Sequence, residues 1–410
     1  MGTWTAPSAI ERQLDDARAA GNWPAFLDAL ALTELFVPQS RAYQDAHPTR
    51  LRLEPAYFPQ VRARAYAVFT AGMLPVPTPE LVFERQDLAW FADHVPADGA
   101  AYLAVNPGTP LRGVPARLPR PPRHLGRPLP QQAALRRPGD GQGARPPHRR
   151  PPLHGPVAFG LACGAHLSVR NGMFWNSLAY HGDGYTRERE KLDKWWGVTT
   201  REDWLSTTRQ LLGAEMVSPV WEYALRVRRS LAQDFAGAVD TEHWRHAAEY
   251  SLRAGARRAA EPRLTPEGVT TAAPRPAAEV EGEIAGVRRL IGRIARYEQR
   301  FRADGLLGEG RFVRSVEAWD YGRASQMARW GLGARFGTIA ETEDAVVRAG
   351  EACRLAYRSW EDLSAGFVLG RCLHFDEEEF GHWYGDMVTA HRELTSDPGS
   401  PWLNLPWSRT

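Results

Sequence analysis

The stretch VRRLIGRIARYEQRF (287–301) decides the fold class of the longer half of this chain. Val287, Leu290, Ile291, Ile294, Tyr297 and Phe301 recur every three or four residues, the repeat that lines one face of an α-helix, and arginines dominate the other face. Similar signals extend on both sides. Thr200 with Asp203 makes a capping box ahead of Trp204, Leu205, Leu211 and Leu212, Ser218-Pro219 opens a helix with Trp221, Leu225 and Leu231, and Asp240 or Thr241 caps one carrying Trp244. Downstream, Phe312, Val316, Trp319 and Arg323 start another helix, and Ser359 with Asp362 caps the helix running toward Cys372. Asp376 with Glu379 caps the last one, through Glu393, before Asp397-Pro398-Gly399 turns the chain into the tail PWLNLPW (401–407). Residues 255–278, rich in Arg, Ala and Pro, read as an exposed loop. No period-two pattern of useful length occurs in residues 156–410, so this half reads as mainly all-α.

Residues 1–110 read differently. Ser8 with Glu11 forms a capping box, Ile10, Leu14 and Ala17 keep helical spacing up to Gly21, and a second helix spans Trp23 to Leu32 with Asn22 before it and Pro24 in its first turn. Leu35-Phe36-Val37, Ala65 to Thr70 and Tyr102 to Val105 follow as strands, the last closed by Asn106-Pro107-Gly108. Helices followed by strands make a small α+β domain, so the fold class is α+β overall: this domain, then the helical one.

Between them, residues 111–155 stand apart. Residues 111–152 hold ten arginines, eleven prolines and one acid, Asp140; they carry +9, so the remainder of a chain of net charge +3 carries −6. Three readings compete for this stretch: a basic tail that neutralises a polyanion, a disordered linker too poor in apolar surface to fold, and an out-of-frame translation of GC-rich DNA. The last fits the Arg/Pro/Gly/Ala mixture best, and an intact single reading frame in the gene would exclude it. The net −6 elsewhere opposes nucleic-acid binding.

Composition bounds the rest. Only Lys191 and Lys194 among the 51 basic residues are lysines, which points to a high-GC genome rather than to any demand of surface chemistry. Cys163, Cys353 and Cys372 show no CxxC spacing and read as buried small hydrophobes in a reducing compartment. No apolar run reaches the roughly 20 residues that span a bilayer, and the opening MGTWTAPSAIERQ lacks the pattern of a secretory signal, so a cytoplasmic protein without a membrane span is expected.

The motifs LFVP (35–38), AVFT with AGML (67–74) and YLAVNPGTP (102–110) resemble the N-terminal domain of the SseB family of bacterial proteins, although the strand and helix expected after NPG are replaced by the Arg/Pro stretch. FVRSVEAWDYGRASQMARWG (312–331) and YRSWEDLSAGFVLGRCLHF (357–375) resemble the bacterial family known as domain of unknown function 1266, typified by the YbeU and YbeR proteins. Segments CGAHLSVRNGMFWNSL, KLDKWWGVTT and EMVSPVWEYALRVRR (within 163–229) look like the extended form of that family in actinobacteria, and the similarity covers residues 160–407. These resemblances imply a fold and a link to secretion or toxin–immunity systems; they supply no reaction.

Candidate chemistry is sparse. The functional reading of WDYGR, RWG and LGR is an arginine cluster beside aromatic rings that recognises an anionic ligand or partner, with Trp319, Asp320, Arg323, Arg329, Trp330, Trp360 and Arg371 as candidates. The plainer reading is an Asp320–Arg323 ion pair and Trp-filled helix contacts. His374, Glu378, His382 and Asp386 recur at four-residue spacing, which on one continuous helix presents a metal-binding face, but Asp376 as a cap and Gly381 and Gly385 interrupt it. Asn176, Ser177, His181 and Asp183 contain the residue types of a hydrolytic triad without a GxSxG elbow, and no GxGxxG or GxxxxGK[ST] loop occurs. No cofactor is implied. The residues point to a non-enzymatic module that binds another protein through a Trp/Arg surface, with an enzyme or small-ligand binder built on an arginine-lined anion site as the alternative.

Overall fold

The computed structural model describes residues 6, 8–47, 50–59, 62–75, 80–95, 102–111, 116–117, 154–171, 173, 175, 178, 185–234, 239–266, 268–270 and 273–408. Most of 111–152, and Asn176, Ser177, His181 and Asp183, lie outside them. In chain order the elements are α1 (Ala9–Ala19), α2 (Trp23–Ala31), β1 (Leu35–Ser40), α3 (Arg41–Ala46), β2 (Ala56–Phe58), β3 (Ala63–Val68), a 3-10 turn (Ala71–Met73), β4 (Leu81–Gln86), α4 (Leu88–His94), β5 (Tyr102–Val105) and β6 (Ala116–Arg117). Then come α5 (Gly155–Cys163), α6 (Ala165–Arg170), α7 (Tyr185–Trp196), α8 (Arg201–Leu212), α9 (Pro219–Asp234), α10 (Thr241–Ala259), β7 (Arg263–Thr265) and β8 (Gly268–Thr270). The chain ends with α11 (Ala277–Asp304), α12 (Ala318–Gly333), α13 (Ile339–Ala356), α14 (Trp360–Phe375), α15 (His382–Ser396) and α16 (Pro401–Asn404). The fold is α+β: small sheets near the N-terminus, then a helical region. Two units emerge, one of residues 1–209, 325–348 and 393–405, the other of 210–324, 349–392 and 406–410.

In the first unit, β2, β3, β5 and β6 form one sheet with β3 and β5 parallel, β1 pairs antiparallel with β4, and a bridge between Phe36 and Phe69 links the two ladders. Leu14 and Phe26 from the helices meet Val37, Val68, Leu103 and Val105 from the strands in one core. Ser8 caps α1 as its sequence foretells, but the Glu11 carboxylate does more than close a capping box. Besides pairing with the Ser8 hydroxyl it accepts the amide of Gly72 at 2.9 Å, tying α1 to the turn after β3. Asn106 adopts a left-handed φ of 53° after β5 and accepts the Thr70 amide at 2.8 Å, which explains an asparagine there. Elsewhere in this unit, Trp204 of α8 donates its indole N–H to the Met327 carbonyl at 3.0 Å. Its ring occupies a notch at Gly331 and Gly337, where a Cβ at either position would overlap the indole.

In the second unit α10 packs on α11, and α9 on both. Arg228 of α9 and Glu298 of α11, each about nine-tenths or more buried, form a two-pronged ion pair at 2.8 and 2.6 Å. The guanidinium also donates to the Val313 carbonyl and lies 4.2 Å from the Trp244 ring centroid. Three boundaries differ from the sequence reading. Residues 255–278 are in part the end of α10 and the β7–β8 hairpin. The helix expected from Phe312 begins at Ala318, because the Val313 and Val316 amides bond to Glu298 and Glu222 instead of a helical ladder. Asp376 ends α14 rather than capping the next helix, which starts at His382; its carboxylate accepts the Phe380 and Gly381 amides of the turn. All three cysteines are buried and none is in a disulfide.

Candidate functional site

The two segments that carry WDYGR and LGR meet in the second unit. Gly370 permits it: a Cβ there would press into the Trp319 side chain and the Val316 carbonyl, so its absence lets α14 lie close against the start of α12. Trp319, buried, makes edge contacts with Phe367 and Phe375 at centroid distances of 5.1 and 6.2 Å. Two guanidinium groups lie near its ring, Arg323 at 4.3 Å and Arg371 at 5.4 Å. Arg371 is also 5.4 Å from the Phe375 ring and 4.9 Å from Trp383 of α15, so three aromatic faces surround it.

Asp320, fully buried, serves the backbone as well as the side chains. One carboxylate oxygen pairs with Arg323, and the other accepts the amides of Met216 and Val217, each at 2.9 Å. Burial pushes its carboxyl above the ordinary range, while Arg323 and the two amides pull it down. Outermost, Phe375 is 40% exposed and stacks on Trp383 at 4.8 Å and 18°. His374 meets Phe375 edge-on at 4.3 Å, and His382 lies 4.5 Å from Trp383. Burial, then Arg323 and Arg371, hold His374 below the usual imidazole value, so it is neutral at pH 7. The result is an aromatic platform open to solvent with two guanidinium groups behind it.

The remaining candidates lie elsewhere. Arg329 and Trp330 belong to the first unit, where Arg329, fully buried, donates to the Ser168 hydroxyl at 3.0 Å and the Gln326 side chain at 3.1 Å, and Trp330 lies 6.3 Å from Trp196. Six residues along α12 separate Arg323 from Arg329, which is about 9 Å of rise and about 120° around the axis. Trp360 opens α14 against Trp407, 4.9 Å away. His374, Glu378 and His382 are not on one helix: they close α14, occupy the turn and open α15, and Arg296 holds the Glu378 carboxylate with contacts of 2.6 and 2.8 Å. Among the described residues no three His, Cys, Asp or Glu side chains are grouped for a metal ion. Nor is any helix among them long and apolar enough to cross a membrane.

Sequence reasoning missed Trp383, whose only local signal is an aromatic beside His382 at a helix start. It also missed Phe375 as a platform, since the F of LHF reads as another core residue. Comparison with known proteins adds one result. No curated protein and no solved structure matches the chain. A family model matches residues 191–407, more than half of the chain, which takes in both segments that meet at Trp319. The chain belongs to the family described as protein of unknown function DUF1266.

Proposed function

We propose that this chain is a non-enzymatic protein-interaction module whose Phe375–Trp383 platform receives an acidic segment of a partner protein. The observation that carries the reading is the stacking of exposed Phe375 on half-buried Trp383, with Arg371 4.9 Å from Trp383. Rings and guanidinium groups of this kind dominate the energetics of protein interfaces. Charge selects the partner: the Arg323 guanidinium at the Trp319 ring and the Arg371 guanidinium at the Trp319, Phe375 and Trp383 rings favour an acidic segment there. A bacterial, actinobacterial-like setting, a cytoplasmic partner and a role in secretion or toxin–immunity systems belong to the same proposal, resting on the N-terminal resemblance to the SseB family and on the arginine-for-lysine composition.

The test is fluorescence anisotropy with a labelled Asp/Glu-rich peptide containing one aromatic residue, using the full chain and the double variant Phe375→Ala, Trp383→Ala. Saturable binding that weakens with salt, and at least about tenfold in the variant, is the expected result. Equal binding by both proteins, or none by the full chain at millimolar peptide, overturns the reading.

A further inference from the structure

A second group of arginines gathers at the start of α14, drawn from three parts of the chain. The Arg358 backbone amide donates to the Asp362 carboxylate at 3.0 Å, and Arg314 Nε approaches the same carboxylate at 3.8 Å, too far for a hydrogen bond. Arg229 of α9 bonds the Arg314 carbonyl and pairs with Glu222 at 2.8 Å. Arg311 acts on Asp362 through space, and Arg358 and Arg229 act in the same way on Arg314. Burial first, then Arg358, lowers the Arg314 guanidinium from its ordinary value, the mark of like charges brought together.

The charges do not balance. Glu222 is engaged by Arg229, the Ser315 hydroxyl and the Val316 amide, and Arg311, Arg314 and Arg358 all act on Asp362. Three arginines outnumber the two acids of the first turn of α14, Glu361 and Asp362, and that turn adds its positive dipole end. Arg314 Nε is closed off from solvent with no hydrogen-bond acceptor among the described residues. Arg311 and Arg358 are exposed and Arg314 is partly so, which leaves their forks accessible from outside.

The geometry points to an anion-binding site formed by Arg311, Arg314 and Arg358 beside the α14 N-terminus, suited to a phosphate dianion or the phosphate group of a small ligand. Planar guanidinium forks match tetrahedral oxyanions in charge and spacing. This site is separate from the aromatic platform and does not depend on it.

The experiment is titration of the full chain with inorganic phosphate and pyrophosphate at constant ionic strength, followed by ³¹P line broadening and calorimetry, with chloride as the control. Arg311→Ala and Arg358→Ala are combined in one variant, since both side chains are exposed and the fold is checked by circular dichroism. Phosphate binding that weakens by about tenfold or more in this variant is expected, whereas Phe375→Ala, Trp383→Ala leaves it unchanged. No binding at 10 mM-scale phosphate overturns the site. So does binding undiminished in the arginine variant, which assigns the anion to other residues, the basic stretch 111–152 included.

Discussion

Arg228 and Glu298 show what a single buried charge pair demands. Two hydrogen bonds join them, the Val313 amide and carbonyl take further positions, and the Trp244 ring covers one face. Removing one partner leaves the other charged and dry. Glu298→Gln or Arg228→Met should therefore cost about 3–5 kcal/mol in urea unfolding, while replacing both with apolar residues should cost less than either single change. A glycine makes the opposite kind of test. Gly331→Ala places a methyl group where the Trp204 indole lies. Despite the better helix propensity of alanine, the variant should lose about 1–3 kcal/mol and shift the Trp204 emission. The glycine of RWG was visible in the sequence as a motif residue, but its partner lies over a hundred residues away and no local pattern announces it.

At the scale of elements, α14 and α15 are joined by a buried hydrogen bond between Ser364 and His391 Nδ1 at 2.8 Å, and the Gly305 backbone after α11 also bonds the imidazole. Burial lowers the His391 pKa to about 4. Above pH 6.5 the ring is neutral in both folded and unfolded chains, so no stability is lost. Between there and pH 4 the unfolded chain takes up a proton that the folded one refuses, and stability falls by roughly 3 kcal/mol before levelling off. His391→Asn should flatten this part of the pH–stability profile measured by chemical denaturation; an unchanged slope would exclude His391 as its source. The caps of these helices were legible beforehand: Ser8, Thr200 with Asp203, Asp240 and Ser359 all bond the amides expected of them. The misread ends share one cause. Asp376 has the residue type of an N-cap, but Tyr297 from α11 donates its hydroxyl to that carboxylate at 2.9 Å and accepts the Glu378 amide, and this distant partner sets the turn.

For the whole molecule, the two units are not successive along the chain. Four of their five boundaries, at 209/210, 324/325, 348/349 and 392/393, fall within α8, α12, α13 and α15. Neither unit is a continuous fragment. Residues 1–209 or 210–410 expressed alone should therefore lack the protease resistance of the full chain and show reduced ellipticity per residue, as measured by limited proteolysis and circular dichroism. A stable, cooperatively melting fragment of either kind would refute this.

Local chemistry in the sequence determined α1, α2, most of the later helices with their caps, the strands β1, β3 and β5, and the membership of the family, because periodicity, capping and turn residues act over a few positions; β2, β4 and α13 carried no such signal. Only the tertiary structure decided which arginines do what. It stacked Arg323 and Arg371 on Trp319, enclosed Arg329 with Ser168 and Gln326, and drew Arg311, Arg314 and Arg358 around Asp362. The physical reason is that a guanidinium group takes its role from the carboxylates, rings and solvent around it. Those neighbours come from segments tens to more than a hundred residues apart, so identical arginines in the sequence become different groups only when the chain is folded.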